Sequence, residues 1–170
     1  MKGYKATELD MTCKGYQFEM NKEFIHEGEI MLCISGFHFC KEFKNVFEHY
    51  TLDPFVRVFE VEIPDDAKVI DWDNKSVTNK IKFIKELPLE EYSELTNGKI
   101  VVKKLKDSYN YLVYNNDDEC HSIFYNNSGL YHNENGPAII SSYPYYNLIQ
   151  KSYYENGNYI RSETIKEIIE

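Results

Sequence analysis

Two stretches in the last third of the chain look alike, and they limit the fold more than any other feature. Phe124-Tyr125-Asn126-Asn127-Ser128-Gly129-Leu130-Tyr131 and Tyr153-Tyr154-Glu155-Asn156-Gly157-Asn158-Tyr159 each read as aromatic strand, Asn/Gly turn, aromatic strand. Asn and Gly both tolerate positive φ, which a two-residue hairpin turn requires. The pair recurs at roughly 29 residues, so a stack of β-hairpins is expected. From about Asp107 onward Tyr, Asn and Gly dominate. Helical periodicity is absent until residues 164–170, where a short C-terminal helix is expected.

Upstream, short apolar runs alternate with turn residues. Strands are expected at residues 2–6, 30–33 and 37–40, with a hairpin of residues 16–20 and 23–26 around Asn21-Lys22. Phe43, Val46, Phe47 and Tyr50 recur at i, i+3, i+4 and i+7, the stripe of an amphipathic helix that would bury Phe47. Asp53-Pro54 ends it, because the residue before proline avoids helical angles. Residues 56–63 alternate as a strand, with Phe59, Val61 and Ile63 on one face and Val58, Glu60 and Glu62 on the other. Another strand is expected at 68–72. Residues 76–87 fit either period and lean towards strand. A short helix at 89–95 stops at Asn97-Gly98, before a strand at 99–105. The expected class is α+β. Residues 1–106 form a mixed or antiparallel β domain with one or two short helices, and residues 107–170 form the hairpin region.

Composition narrows the partners. The net charge is −9, and no basic face of the kind a phosphate backbone needs is visible. Nucleic acid is therefore not expected as a partner. No run approaches the ~18 apolar residues of a membrane span, and the N-terminus lacks the apolar core of a signal peptide. A cytoplasmic location in a bacterial cell is expected, with Cys13, Cys33, Cys40 and Cys120 as free thiols. Fifteen Tyr and ten Phe suit half-exposed sheets and stacking surfaces.

The order of Lys2-Gly3-Tyr4-Lys5, Cys13-Lys14-Gly15-Tyr16-Gln17-Phe18-Glu19, Glu27-Gly28-Glu29-Ile30 and Cys33-Ile34-Ser35-Gly36-Phe37-His38-Phe39-Cys40 resembles an uncharacterised family found in phages and prophages. The resemblance covers roughly residues 1–88 and implies a phage origin without a known chemistry. His132 followed by Gly136-Pro137-Ala138 resembles a degenerate β-hairpin repeat in which an arginine usually follows the histidine. Asn133 stands there instead. The succession of Ser-Gly-Phe-His-Phe, an aromatic helix and a Phe-Glu-Val-Glu strand is also similar to ADP-ribosyltransferase-like domains. That likeness makes Glu60-Val61-Glu62 a counterpart of their acidic motif, with Lys5 where an Arg or His usually holds the nucleotide.

The signatures of phosphate-binding loops, dinucleotide folds, serine hydrolases and zinc proteases are all absent. Cys13, Cys33, His38 and Cys40 have metal-capable side chains, but their spacing does not match a compact zinc site. Cys33 and Cys40 are expected to be inert core thiols. No catalytic residue, metal or cofactor is expected. A ligand site is expected where Lys5, Tyr16, His38 and Arg57 converge, with Tyr16 stacking and the cations holding phosphate oxygens. These readings give a counter-defence protein that binds and sequesters a nucleotide immune signal, such as a cyclic ADP-ribose-like molecule or a cyclic dinucleotide, without cleaving it. The alternatives are an acidic inhibitor that binds a host defence protein, and an ADP-ribosyltransferase-like enzyme. Assembly into a homo-oligomer is left open.

Overall fold

The structure is a computed structural model and describes residues 1–52, 54–114 and 119–166. Strand accounts for 52% of it and helix for only 10%, which replaces the expected α+β class with a mostly β protein built from several antiparallel sheets. The chain divides into two compact units, Met1–Pro88 and Leu89–Glu170.

The first unit contains β1 (Lys2–Thr7), β2 (Thr12–Cys13), β3 (Tyr16–Gln17), β4 (Glu23–Ile25), β5 (Phe37–Phe39), β6 (Arg57–Glu62), β7 (Val69–Trp72), β8 (Lys75–Thr78) and β9 (Lys80–Leu87). They make a four-stranded sheet in the order β1-β6-β9-β4, a three-stranded sheet β5-β8-β7, and the ribbon β2-β3. The core is aromatic. Phe18, Phe37, Phe39, Phe59, Val61, Ile63, Ile81 and Phe83 pack as one cluster. Phe18 stacks on Phe83 at 4.6 Å, and Phe59 meets Phe83 edge-on at 5.3 Å. The alternation expected in β6 holds for Phe59, Val61 and Ile63, but Val58 is buried too. β6 lies between β1 and β9, and Val58 pairs with the buried Ala6 and Leu87.

Three local expectations are not met. Residues 16–20 and 23–26 do not form a hairpin. β3 pairs with β2, while β4 pairs with β9 in the register Glu23–Lys82, Phe24–Ile81 and Ile25–Lys80. That pairing sets Phe24 edge-on to Phe18 at 5.1 Å, an aromatic burial that a local hairpin would forgo. Residues 30–33 form a turn closed by the Met31–Ser35 bridge, with Cys33 at φ 64°. The stripe beginning at Phe43 is a 3-10 segment, Phe43–Glu48, without a side-chain cap. So short a segment cannot sustain an α-helix by itself. Its i, i+3 spacing buries Phe43 and Val46 and leaves Phe47 only partly covered, contrary to the expected burial of Phe47.

The second unit begins with a 3-10 turn, Leu89–Glu91, running into α1 (Tyr92–Leu95), together the short helix expected there. Asn97 and Gly98 stop it at φ 52° and 79°. β10 (Ile100–Lys104), β11 (Ser108–Tyr114), β12 (Cys120–Asn126), β13 (Ile139–Tyr143), β14 (Leu148–Glu155) and β15 (Asn158–Lys166) follow as a six-stranded antiparallel meander in chain order. β10 belongs to this sheet although it lies upstream of the change in texture at Asp107. Asn156 and Gly157 turn β14 into β15 at φ 47° and 82°. The two look-alike stretches lie side by side. Tyr125–Tyr131, Tyr131–Tyr154 and Tyr154–Tyr159 form a ladder with ring centroids 5.1, 5.2 and 5.5 Å apart. The expected C-terminal helix is not formed at residues 164–166, which extend β15, and residues 167–170 lie outside the described residues. Pairing with β14 commits this segment to extended backbone.

A backbone bridge links the two larger sheets of the first unit. Tyr4 and Cys40 exchange both backbone hydrogen bonds, at 2.7 and 2.8 Å. The neighbouring Gly3 makes this approach possible. A Cβ there would lie 2.5 Å from Phe39 Cδ2 and 2.9 Å from the Cys40 carbonyl oxygen. Gly3→Ala should therefore destabilise the fold by roughly 1–3 kcal/mol, the usual cost of overpacking. Gly136→Ala, whose nearest neighbour is a flexible amide 3.7 Å away, serves as the control and should be nearly neutral in denaturant unfolding.

Candidate functional site

The junction of β1 and β5 opens into a cavity of about 470 Å³ lined by residues between Tyr4 and Lys75. That volume falls within the ~300–1,000 Å³ common for small-ligand sites. Phe18, Phe37 and Phe39 supply apolar wall, and Tyr16 lies 5.0 Å from Phe37, edge-on, with its hydroxyl 3.1 Å from His26 Nδ1. Among the described residues, the charged side chains of the lining are Lys5, Lys14 and Lys75 against the single carboxylate of Glu8. A chain of net charge −9 thus lines its cavity with a positive excess.

Lys5 is the unusual group. It is only 5% exposed, and among the described residues no carboxylate is paired with it. Its Nζ donates to the backbone carbonyl of His38 at 2.9 Å and meets Cys13 Sγ at 3.7 Å, 5.6 Å from the Phe18 ring centroid. Burial pushes its pKa below the ordinary lysine value. Cys13 Sγ in turn lies 3.1 Å from the Tyr50 hydroxyl, whose pKa is raised by burial and by the bond to Cys13. Cys40 is buried at the end of β5, and burial raises its thiol to about 11. Cys33, expected in the core, is exposed because the turn at residues 31–35 carries it outward.

His38 alternates with the buried Phe37 and Phe39 and faces away from both. Its Nε2 accepts the Cys33 backbone N–H at 2.7 Å, so in the neutral ring the proton sits on Nδ1. Burial first, then the charges of Lys5, Lys75 and Lys14, lower its pKa to about 4. The ring is neutral at pH 7.

Of the four residues expected to converge, Lys5, Tyr16 and His38 line this one cavity. Arg57 does not. Its guanidinium grips Glu86 through two bonds of 2.8 and 2.6 Å, donates to the Leu9 carbonyl at 2.7 Å, and lies over Phe59. Glu60 is ion-paired with Lys2, and neither Glu60 nor Glu62 lines the cavity. Lys75 and Tyr50 were not expected at the site: the sequence marks Tyr50 only as part of the apolar stripe that begins at Phe43, and no local pattern marks Lys75. Among the described residues no group of three or more His, Cys, Asp or Glu is arranged to hold a metal, and no helix is long and apolar enough to cross a membrane.

Residues 1–95, more than half of the chain, match a family described as a domain of unknown function, DUF7666. The chain belongs to that family. The matched segment contains every residue of the cavity. No curated protein and no solved structure matches the chain.

Two pH effects follow. His38 has a depressed folded pKa, so the unfolded chain binds the extra proton and the stability this provides is present above pH 6.5 and lost as pH falls towards about 4. Thermal unfolding of His38→Gln should lack that component of the acid-induced loss. Lys5 is also depressed, so the folded chain resists its proton below the unfolded value of 10.5. Lys5→Met should raise the melting temperature near neutral pH, and the gain should shrink as pH approaches 10.5.

Proposed function

We propose that this protein captures a small anionic, aromatic ligand of the nucleotide class in the cavity beside β1. The observation that carries this reading is the three-lysine, one-carboxylate lining of an aromatic-walled cavity in an otherwise acidic protein. Outer cations attract and orient phosphate oxygens. Lys14 is exposed and Lys75 half-buried, so both are placed to meet a ligand as it enters. Tyr16, partly exposed, offers a stacking face.

The specific form of this reading is a phage-encoded counter-defence protein that sequesters a nucleotide immune signal and later releases it intact. The phage-like sequence order supports that form. Neutral His38, the absence of a carboxylate pair in the lining and the position of Glu60 outside it favour binding over transferase chemistry.

The test is retention. The protein is incubated with cyclic dinucleotides and cyclic ADP-ribose-like nucleotides, filtered, heat-denatured, and both fractions are analysed. Intact ligand released from the protein fraction is the expected result. A chemically altered product would replace capture with catalysis, and no retention would redirect attention to a protein partner. Lys14→Ala and Lys75→Ala should each weaken retention, about tenfold or more if the contact is charge-assisted. Arg57→Ala separates this cavity from a site built around Arg57, since only the latter loses ligand with that substitution.

A further inference from the structure

Lys5 sits too deep to act as an ordinary steering cation. An ammonium has three N–H donors, and the structure gives Lys5 two acceptors, the His38 carbonyl oxygen and Cys13 Sγ. A neutral amine uses two N–H bonds in that setting and keeps a lone pair. Among the described residues no carboxylate is paired with Lys5, and the walls are the rings of Phe18, Phe37 and Phe39. Desolvation of this kind turns a lysine into a nucleophile towards carbonyl carbon. Two groups that carry protons at neutral pH, Tyr50 and the Nδ1–H of His38, line the same cavity.

From this arrangement we infer that Lys5 forms a reversible imine with an aldehyde or ketone carried by the captured anion. The inference rests on the capture reading and narrows its ligand to aromatic anions that expose a free aldehyde or ketone, as a nucleotide with an open-chain sugar does and a closed cyclic nucleotide does not. The Lys5 lone pair attacks the carbonyl carbon and a C–N bond forms. The oxygen takes up a proton to give a carbinolamine. The C–O bond then breaks, water leaves, and nitrogen gives up its protons to leave a C=N bond. One water is released, and no oxidant or reductant is needed. The linkage reverses by hydrolysis, so a covalently held ligand is still recovered intact.

Pyridoxal 5′-phosphate is a suitable probe, since it combines an aromatic ring, a phosphate and an aldehyde. The folded protein is treated with limiting reagent near pH 7, reduced with sodium borohydride, digested, and its lysines mapped by mass spectrometry. Lys5 should carry more label than any other lysine, since a lowered lysine pKa raises the neutral, nucleophilic fraction. Label spread over surface lysines with Lys5 unmodified would overturn the inference. Pyridoxine 5′-phosphate, which lacks the aldehyde, separates the two levels. Its retention, together with suppression of Lys5 labelling when it competes, supports both. Its retention without any Lys5 labelling by the aldehyde leaves capture standing and removes the imine. Failure of both probes removes both. Lys5→Met should lose the borohydride-trapped product, and the mapping on the unaltered chain decides the matter independently of that variant.

Discussion

The cavity of the first unit depends on a meeting of two backbones. Tyr4 on β1 and Cys40 after β5 exchange two hydrogen bonds and tie the four-stranded sheet to the three-stranded one. The contact requires Gly3, because any side chain there would strike Phe39 and the Cys40 carbonyl. Buried backbone groups must find partners, and this contact lets the N–H and C=O of Tyr4 and Cys40 satisfy one another. It also brings the β1 lysine alongside the carbonyl of His38, and so defines the floor of the cavity.

Around that junction the protein tolerates a costly arrangement. A lysine removed from water without a carboxylate is expensive as a cation and becomes cheaper as an amine. The surroundings of Lys5 fit the second state, with one carbonyl, one thiol and one aromatic face. His38 is kept neutral by the same burial and by nearby lysines, while a backbone N–H fixes its tautomer. His38 is thus held neutral, and the charged form of Lys5 is disfavoured, within one cavity. Such clustering of perturbed groups marks a functional site more often than a structural one. The Arg57–Glu86 pair is the contrast. There the charge is fully matched by a carboxylate, and the pair fastens β6 to β9 away from the cavity.

The second unit solves a different problem with a repeated device. Its meander has only nearest-neighbour strand pairing, so each hairpin needs a face to pack on. The tyrosine ladder from Tyr125 to Tyr159 provides it, with rings in tilted and edge-on contact, the geometries favoured by aromatic quadrupoles. The likeness between the two hairpin stretches therefore has a spatial counterpart in rungs of one ladder.

The sequence by itself determined the strands whose pattern is strong and local. The strands expected at residues 2–6, 37–40 and 56–63 are found as β1, β5 and β6, and the Asn156-Gly157 turn and the helix stop at Asn97-Gly98 are legible too, because the demand for positive φ is written in residue type. It also marked Lys5, Tyr16 and His38, which share one cavity. Only the tertiary structure decided the rest. A stripe at Phe43 reads the same whether it becomes an α-helix or a 3-10 turn, and packing chose the latter. Phe24 joined the aromatic cluster by pairing β4 with β9 across some 55 residues, a choice that no local window contains. Arg57 and Lys75 look alike as isolated cations in sequence. One found Glu86 across a strand and the other reached the cavity, because cross-strand register, not composition, settles which charges meet.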